Sequence, residues 1–520
     1  MEVTGDGFSR VTVRGNISQD QVLLVRVPRD NQPPLNIGVR IRIGNQSAIN
    51  LPNFAAPAPH PAMTTSAIYS TNSWYAGLPS IAVSGDRYSV VTYDGDNAAY
   101  GQRQRRWLQL DGQTQAVTGG QAACYSDDAG GWRDQEIAAL GNVLAVAYCQ
   151  AGQVQAEISL DRGATFPITR MIEDQNGFGA QRLVQVAIGP DYTLGVLFWR
   201  FNYYGTSGQS TLYLVEGTPT AFDANNTPTG YQWGTPQNLH APSQDVTPLL
   251  MHMEYSQGGD LAVAFGYTYF ATVAGQRISS ARFRFAVREF GQPWRGGEVD
   301  HEDNVVPSDP HVALLGSGST LEVFYAYEKS DGVHLMYSAN AGLTWQTGAT
   351  VAIAGAMQPT VHPRMVGGLK RVDLLYCAPW GWGYELHDLH WDDFVPGLQG
   401  TPYGLTQVST TAGGTPPPGC PTGMRIRSLA WFGYDAVLQG DKVAIVVHEQ
   451  NNDVYGWWGM WGTPFFGGWP TGTGALAATG GAAASYQPAP PPPVLLPGMG
   501  GTVPTPSQND RSVMSVIVID

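Results

Sequence analysis

Ser159-Leu160-Asp161-Arg162-Gly163-Ala164-Thr165-Phe166 and Ser338-Ala339-Asn340-Ala341-Gly342-Leu343-Thr344-Trp345 are two copies of one pattern, Ser-x-Asp/Asn-x-Gly-x-Thr-aromatic. The spacing describes a hairpin turn. An Asp or Asn side chain accepts backbone N–H bonds inside the turn, and the glycine supplies the positive φ that closes it. The aromatic residue then leaves the turn and packs on a neighbouring sheet. Each copy follows a strand-like run, so the pair points to an all-β chain made of repeated units.

The repetition extends well beyond the two turns. A unit of apolar strand, Gly turn and second apolar strand begins at Ser80-Ile81-Ala82-Val83-Ser84-Gly85 and at Glu136-Ile137-Ala138-Ala139-Leu140-Gly141. It returns at Val184 to Gly189, around Gly258-Gly259, at His311 to Gly316, around Gly367-Gly368 and at Asp435 to Gly440. The glycines recur every ~50 to 70 residues, slightly above the spacing of compact propeller repeats, which leaves room for a four-stranded blade and one long loop. Seven copies predict seven blades. Residues 1–70 carry strand-like runs without the repeat and read as a small N-terminal β module; 71–465 is the propeller. Residues 466–510 form a Gly/Ala/Pro-rich linker, extended rather than folded, and 511–520 end in a strand that must pair with the N-terminal module, the first blade or another subunit.

With both turns and the repeat in place, the chain resembles the sialidase-like (Asp-box, or BNR repeat) β-propeller superfamily, with Asn340 as a departure from the motif's Asp. That resemblance implies that Ser159, Asp161, Gly163, Thr165 and Phe166, and likewise Ser338, Asn340, Gly342, Thr344 and Trp345, are structural and lie on the face opposite the binding site. Propellers of this superfamily usually have six blades, so six stands beside seven. An active sialidase would need three arginines to clamp a carboxylate, for which Arg182, Arg364 and Arg427 are available, with Glu254-Tyr255 or Tyr269 for the chemistry. The Arg-Ile-Pro signature of the family is absent, and no residue here matches a catalytic residue by motif. The catalytic residues are therefore unassigned.

Composition narrows the function. Only 13% of the 520 residues are charged, the net charge is −14, and 64 residues are glycine. An acidic chain with three lysines lacks the clustered cations that nucleic acid requires. No apolar run is long enough to span a bilayer, and no signal peptide is visible. Cys124, Cys149, Cys377 and Cys420 form no CxxC pair, and Cys149 and Cys377 read as buried thiols in strands.

The repeat places Glu136, His311, Arg364 and Asp435 on inner strands, with Asp134 and Arg182 in the approach to them. The loops joining second and third strands add Tyr269, Glu328, Trp380 and Trp382. Carboxylates, arginines and exposed aromatics on one face suit a sugar, because aromatic faces stack on C–H bonds while charged groups bond hydroxyls. No cofactor is indicated, although Asp94 and Asp96 offer oxygen ligands suited to calcium. His387 and His390 face opposite sides of a strand, so they do not pair as metal ligands. These residues describe a non-catalytic extracellular or virion-surface propeller that binds a glycan or cell-surface receptor and other structural subunits. A sialidase-like hydrolase or lyase acting on an acidic glycan is the alternative, and an assembly scaffold without a small ligand is the third.

Overall fold

The computed structural model describes residues 2–5, 11–14, 21–29, 32–41, 49–51, 57–71, 77–97, 102–126, 135–150, 153–174, 181–200, 210–241, 246–273, 276–303, 310–353, 355–380, 383–407, 409–412, 424–452 and 512–520. They fall into two compact units, Met1–Ala58 and Pro59–Asp520. The first holds a hairpin, Glu2–Gly5 with Val11–Arg14, and a three-stranded antiparallel sheet of Gln21–Arg29, Gln32–Ile41 and Ile49–Leu51.

The second unit is a seven-bladed β-propeller. Six antiparallel sheets follow in sequence, spanning 77–126, 135–174, 181–240, 246–303, 311–351 and 357–404, and we number them blades 1 to 6. Each glycine of the repeat lies at the turn between its blade's first two strands. Blade 7 is assembled from distant pieces: Met424–Gln439 is its inner strand, followed by Lys442–Asn452, then Ser512–Ile519, with Met63–Thr71 outermost. The strand at 512–519 thus finds its partners inside the propeller. Residues 63–70, expected in the N-terminal module, belong to the propeller as well. The linker at 466–510 lies outside the described residues.

Blades adhere because successive side chains of a strand point to opposite faces. Between blades 7 and 1, Val446, Val516 and Ile68 meet Ile81, Tyr88, Val90 and Leu110 in one buried cluster. Between blades 1 and 2, Ala82 and Val91 meet Ile137, Leu144 and Val146. Similar clusters fill the remaining seams. Cys149 and Cys377 are buried within them.

The two quoted turns join the third and fourth strands of blades 2 and 5. Ser159 Oγ accepts Gly163 N–H at 2.7 Å, and Asp161 Oδ1 accepts Thr165 N–H at 2.8 Å. In blade 5, Ser338 Oγ accepts Gly342 N–H at 2.9 Å and Asn340 Oδ1 accepts Thr344 N–H at 2.9 Å. Asn replaces Asp here without loss of the backbone bond, since its amide oxygen offers the same acceptor. The glycines do more than close the turn. Gly163 has φ 88° and Gly342 φ 82°, and a Cβ on either would lie 2.3 Å from Trp107 or 2.5 Å from Phe285 of the preceding blade. Phe166 and Trp345, both half-buried, meet the same two rings edge-on. Each turn therefore also fastens its blade to the previous one.

Burial pushes the Asp161 carboxyl upward, but bonds from Thr165 and Ser159 outweigh it and hold the group below its ordinary range. Asp161→Ala should lower unfolding stability by about 1 kcal/mol, because it strips acceptors from the turn. Gly163→Ala should cost more, since it combines a strained φ with a collision against Trp107. Equal denaturant midpoints for both variants and the parent would show that the turns bear no load.

His448 tests the burial of blade 7. It is 1% exposed, and neither ring nitrogen has a hydrogen-bond partner. Burial pushes its pKa down from 6.5 to about 3. The neutral ring's contribution is complete above pH 6.5 and is lost as pH falls from there through about 3. His448→Leu should raise the melting temperature at pH 7, and by a larger margin at pH 4. A margin that stays constant with pH would rule out this titration.

Candidate functional site

The channel wall is built from one repeated position. Aligned on the pairing of first and second strands, Ser80, Glu136, Gln185, His252, His311, Thr360 and Asp435 occupy the same place in blades 1 to 7. All seven are polar. The residue after each one is apolar and enters a seam: Ile81, Ile137, Val186, Met253, Val312, Val361 and Ala436. The inner strand thus alternates between a greasy contact with the preceding blade and a polar reach toward the next.

That reach is used to bond blade to blade. Asp435 accepts Ile81 N–H at 2.9 Å, and Ser80 Oγ accepts Ile137 N–H at 3.2 Å while donating to Glu136. Glu136 in turn accepts Gln185 Nε2–H at 2.9 Å. Farther round, His252 Nδ1 donates to Val312 O at 2.9 Å, and His311 Nδ1 accepts Val361 N–H at 3.3 Å. These bonds set opposite tautomers: His252 carries its proton on Nδ1, and His311 carries its own on Nε2. Their rings stack at 3.7 Å between centroids, with His362 at 5.5 Å from His311. Burial pushes the His362 pKa down to about 4, so that ring is neutral at physiological pH.

Glu254 follows two residues after His252, on the same face of the strand. Burial pushes its carboxyl up to about 8, against an opposing bond from the Leu314 backbone. At neutral pH it is a carboxylic acid, one residue from Tyr255 but facing the other way. Tyr255 donates to Glu216 Oε1 at 2.9 Å, and Arg288 grips both oxygens of Glu216 at 2.6 and 2.7 Å. Burial and that carboxylate hold the Tyr255 phenol far above its usual range, so it is a donor rather than a nucleophile.

The sequence-derived candidates are distributed unevenly. Glu136, His311 and Asp435 lie in the shared ring, and Glu328 accepts Gln358 N–H at 3.4 Å above it. Arg364 is elsewhere. It sits near the end of Met357–Val366, 4% exposed, donating to Asp373 and, at 2.9 Å, to Asp441 O. A guanidinium so enclosed cannot clamp a carboxylate arriving from solvent. Asp134 and Trp382, and the side chains of Asp94, Asp96, Arg182, Tyr269, Trp380 and Arg427, lie outside the described residues. Ser80, Gln185, His252 and Thr360 were not singled out from sequence: aligning the Gly turns puts Ser80 in one column with Glu136, but Gln185, His252 and Thr360 stand at other distances from their glycines, and only the strand pairing brings them into register.

No family model and no curated protein matches the sequence. Among solved structures, the chain is similar to the Trypanosoma rangeli sialidase in complex with the inhibitor DANA, at 15% identity over 66% of this chain and a TM-score of 0.39. It spans 55% of that sialidase. It is also similar to an ulvan lyase of a new polysaccharide lyase family, at 12% identity over 75% of this chain and 94% of the lyase, TM-score 0.45. The Penicillium chrysogenum α-L-arabinanase complexed with arabinobiose gives 11% identity over 64% of this chain and 98% of that one, TM-score 0.42. Likeness at this level assigns no activity.

Glu254 makes the channel wall sensitive to alkali. Its folded pKa of about 8 lies above the ordinary 4.5, so its contribution is intact below pH 4.5 and is lost as pH rises through about 8. Glu254→Gln should therefore be more stable than the parent at pH 8, by on the order of a few kcal/mol, and nearly equal to it at pH 4.5. Denaturant unfolding at the two pH values reads the difference; parallel stabilities would mean that Glu254 ionises normally.

Proposed function

We propose that the protein is a non-catalytic, glycan-binding β-propeller that serves as an exposed component of a virion or other extracellular assembly. One contrast carries this reading: the long second and third strands of blades 4 and 6 carry aromatic residues toward their ends, while the described ionisable groups of the channel wall bond to neighbouring blades. In blade 4 these strands run for 13 residues each, to a tip where Val273 pairs with Gln276, and they carry Tyr269 and Phe270. The equivalent strands of blade 5 have 8 and 7 residues. At roughly 3.3 Å per residue, the excess raises a wall of up to about 20 Å beside the channel mouth. In blade 6 the second and third strands pair as far as Trp380 with Gly383, and Trp382 falls between those two residues in the sequence. A wall and an aromatic tip suit an extended sugar chain, since an indole gains apolar burial and stacking together. A separate N-terminal unit suits attachment to other structural subunits.

Glu254 favours a second reading. A carboxylic acid protonated to about pH 8 two residues from an imidazole could exchange protons with an acidic glycan in the channel, as a hydrolase or lyase requires. Glycan-array binding and turnover of fluorogenic sialosides and acidic polysaccharides separate the two. For the binding module, Trp380→Ala and Trp382→Ala should each weaken glycan binding at least tenfold, Glu254→Gln should bind normally, and no substrate should turn over. Turnover that vanishes in Glu254→Gln would replace the binding module with the enzyme. Absence of any glycan ligand, with unchanged variants, would leave the scaffold.

A further inference from the structure

Asp373 and Asp388, on adjacent strands of blade 6, are both fully buried, and only one of them is satisfied. Asp373 pairs in register with His390, while Asp388 lies two residues before His390, so all three share the face that packs on blade 7. Asp373 Oδ2 accepts from Arg364, and its Oδ1 meets His390 Nδ1 at 2.7 Å. Neither oxygen of Asp388 accepts from a donor group, and the neighbouring Asp373 carboxylate adds a like charge. A buried carboxylate in that condition requires a proton or a cation.

His60 supplies the missing element. It is 6% exposed and precedes Met63–Thr71, the outermost strand of blade 7, where a bridge from Pro59 to Gly404 holds its segment against blade 6. Its ring meets Tyr403 and His390 edge-on, with centroids at 4.9 and 5.7 Å. One ring nitrogen each of His60 and His390 and one carboxylate oxygen of Asp388 all lie within 4.8 Å of one another. Both nitrogens of His390 have a carboxylate at hand, Asp373 on Nδ1 and the exposed Asp392 on Nε2 at 3.3 Å, so either can turn to a ligand while the other stays oriented.

We propose that His60, Asp388 and His390 bind one divalent transition metal of the zinc class, which bolts the entry segment of blade 7 to blade 6. Two imidazoles and one carboxylate are a donor set for zinc and its first-row neighbours, whereas calcium and magnesium prefer oxygen alone. Charge agrees: Asp373, Asp388 and Asp392 face two guanidiniums, Arg364 and, at 3.7 Å from Asp392, Arg371, and the negative charge left over favours a cation. Asp373 is then the outer carboxylate that orients a ligating imidazole. Metal–ligand bonds near 2.1 Å require the donor atoms to draw in to roughly 3.4 Å of one another.

The test is zinc titration of the chelator-stripped full-length protein by calorimetry, with cobalt as a spectroscopic probe. The parent should bind one zinc per chain, regain the melting temperature lost on stripping, and give the visible absorption of low-coordinate cobalt. His60→Ala and Asp388→Asn should each weaken zinc binding at least tenfold, and the change His334→Ala, at a half-buried histidine of blade 5, should not. Circular dichroism checks that the variants fold; should Asp388→Asn fail, His60→Ala and His60→Gln carry the comparison. Parent protein that binds no zinc, or binds it equally to His60→Ala, overturns the proposal and leaves Asp388 holding a proton.

Discussion

Each blade of a ring has two neighbours and only one narrow edge on the axis, and this constraint governs every inner strand. The residues that enter a seam must be apolar, and those between them must satisfy backbone groups of the next blade. Ile81, Ile137, Val186, Met253, Val312, Val361 and Ala436 obey the first demand. Of the polar residues immediately before them, Asp435, Ser80, His252 and His311 meet the second, while Glu136 and Gln185 join blades 2 and 3 side chain to side chain. The same geometry explains why the seams carry most of the core. A four-stranded sheet exposes two apolar faces that only another blade can cover.

The constraint also shapes the chemistry. A carboxylate or imidazole that bridges two blades is fixed in orientation and withdrawn from solvent, so it strengthens the ring and loses availability to a ligand. Glu136, Asp435 and His311 follow that course. Glu254 departs from it: a backbone donor reaches it, but no cation does, and its proton stays on. Arg364 shows the opposite outcome, a cation drawn off the channel by Asp373 in the seam of blades 6 and 7.

The fold was legible because its signals are local. A Gly turn between two apolar runs, repeated seven times, marks the first hairpin of every blade, and the Ser159 and Ser338 turns mark third-to-fourth-strand hairpins. Residues whose partners are remote in sequence were hidden. His60 meets His390 only through the way blade 7 is completed, and nothing near either residue announces the other. His387 and His390 do face opposite ways, as strand alternation requires, since His387 bonds Glu385 on the far side. The end of the N-terminal module was misplaced for a related reason: Met63–Thr71 has the composition of any strand, and only its pairing with Ser512–Ile519 reveals its membership. Arg364 looked available because periodicity reports which face a residue takes and not what lies across it.

Blade 7 draws strands from both sides of the other six, and Met63 pairs directly with Ile519. The propeller is therefore a closed circuit whose entry and exit are neighbours on a single sheet. In such a circuit the order of blades in space is independent of where the backbone is cut. A short peptide joining Asp520 to Pro59, with new termini at the exposed Gly367-Gly368 turn, would preserve every seam, the contacts of His60 with blade 6 included. Folding, by contrast, depends on the cut. As the chain is synthesised, Met63–Thr71 emerges before any blade and cannot take its place until Ser512–Ile519 arrives, so closure is the latest and most non-local pairing in the molecule. Until then, two apolar sheet edges stand open.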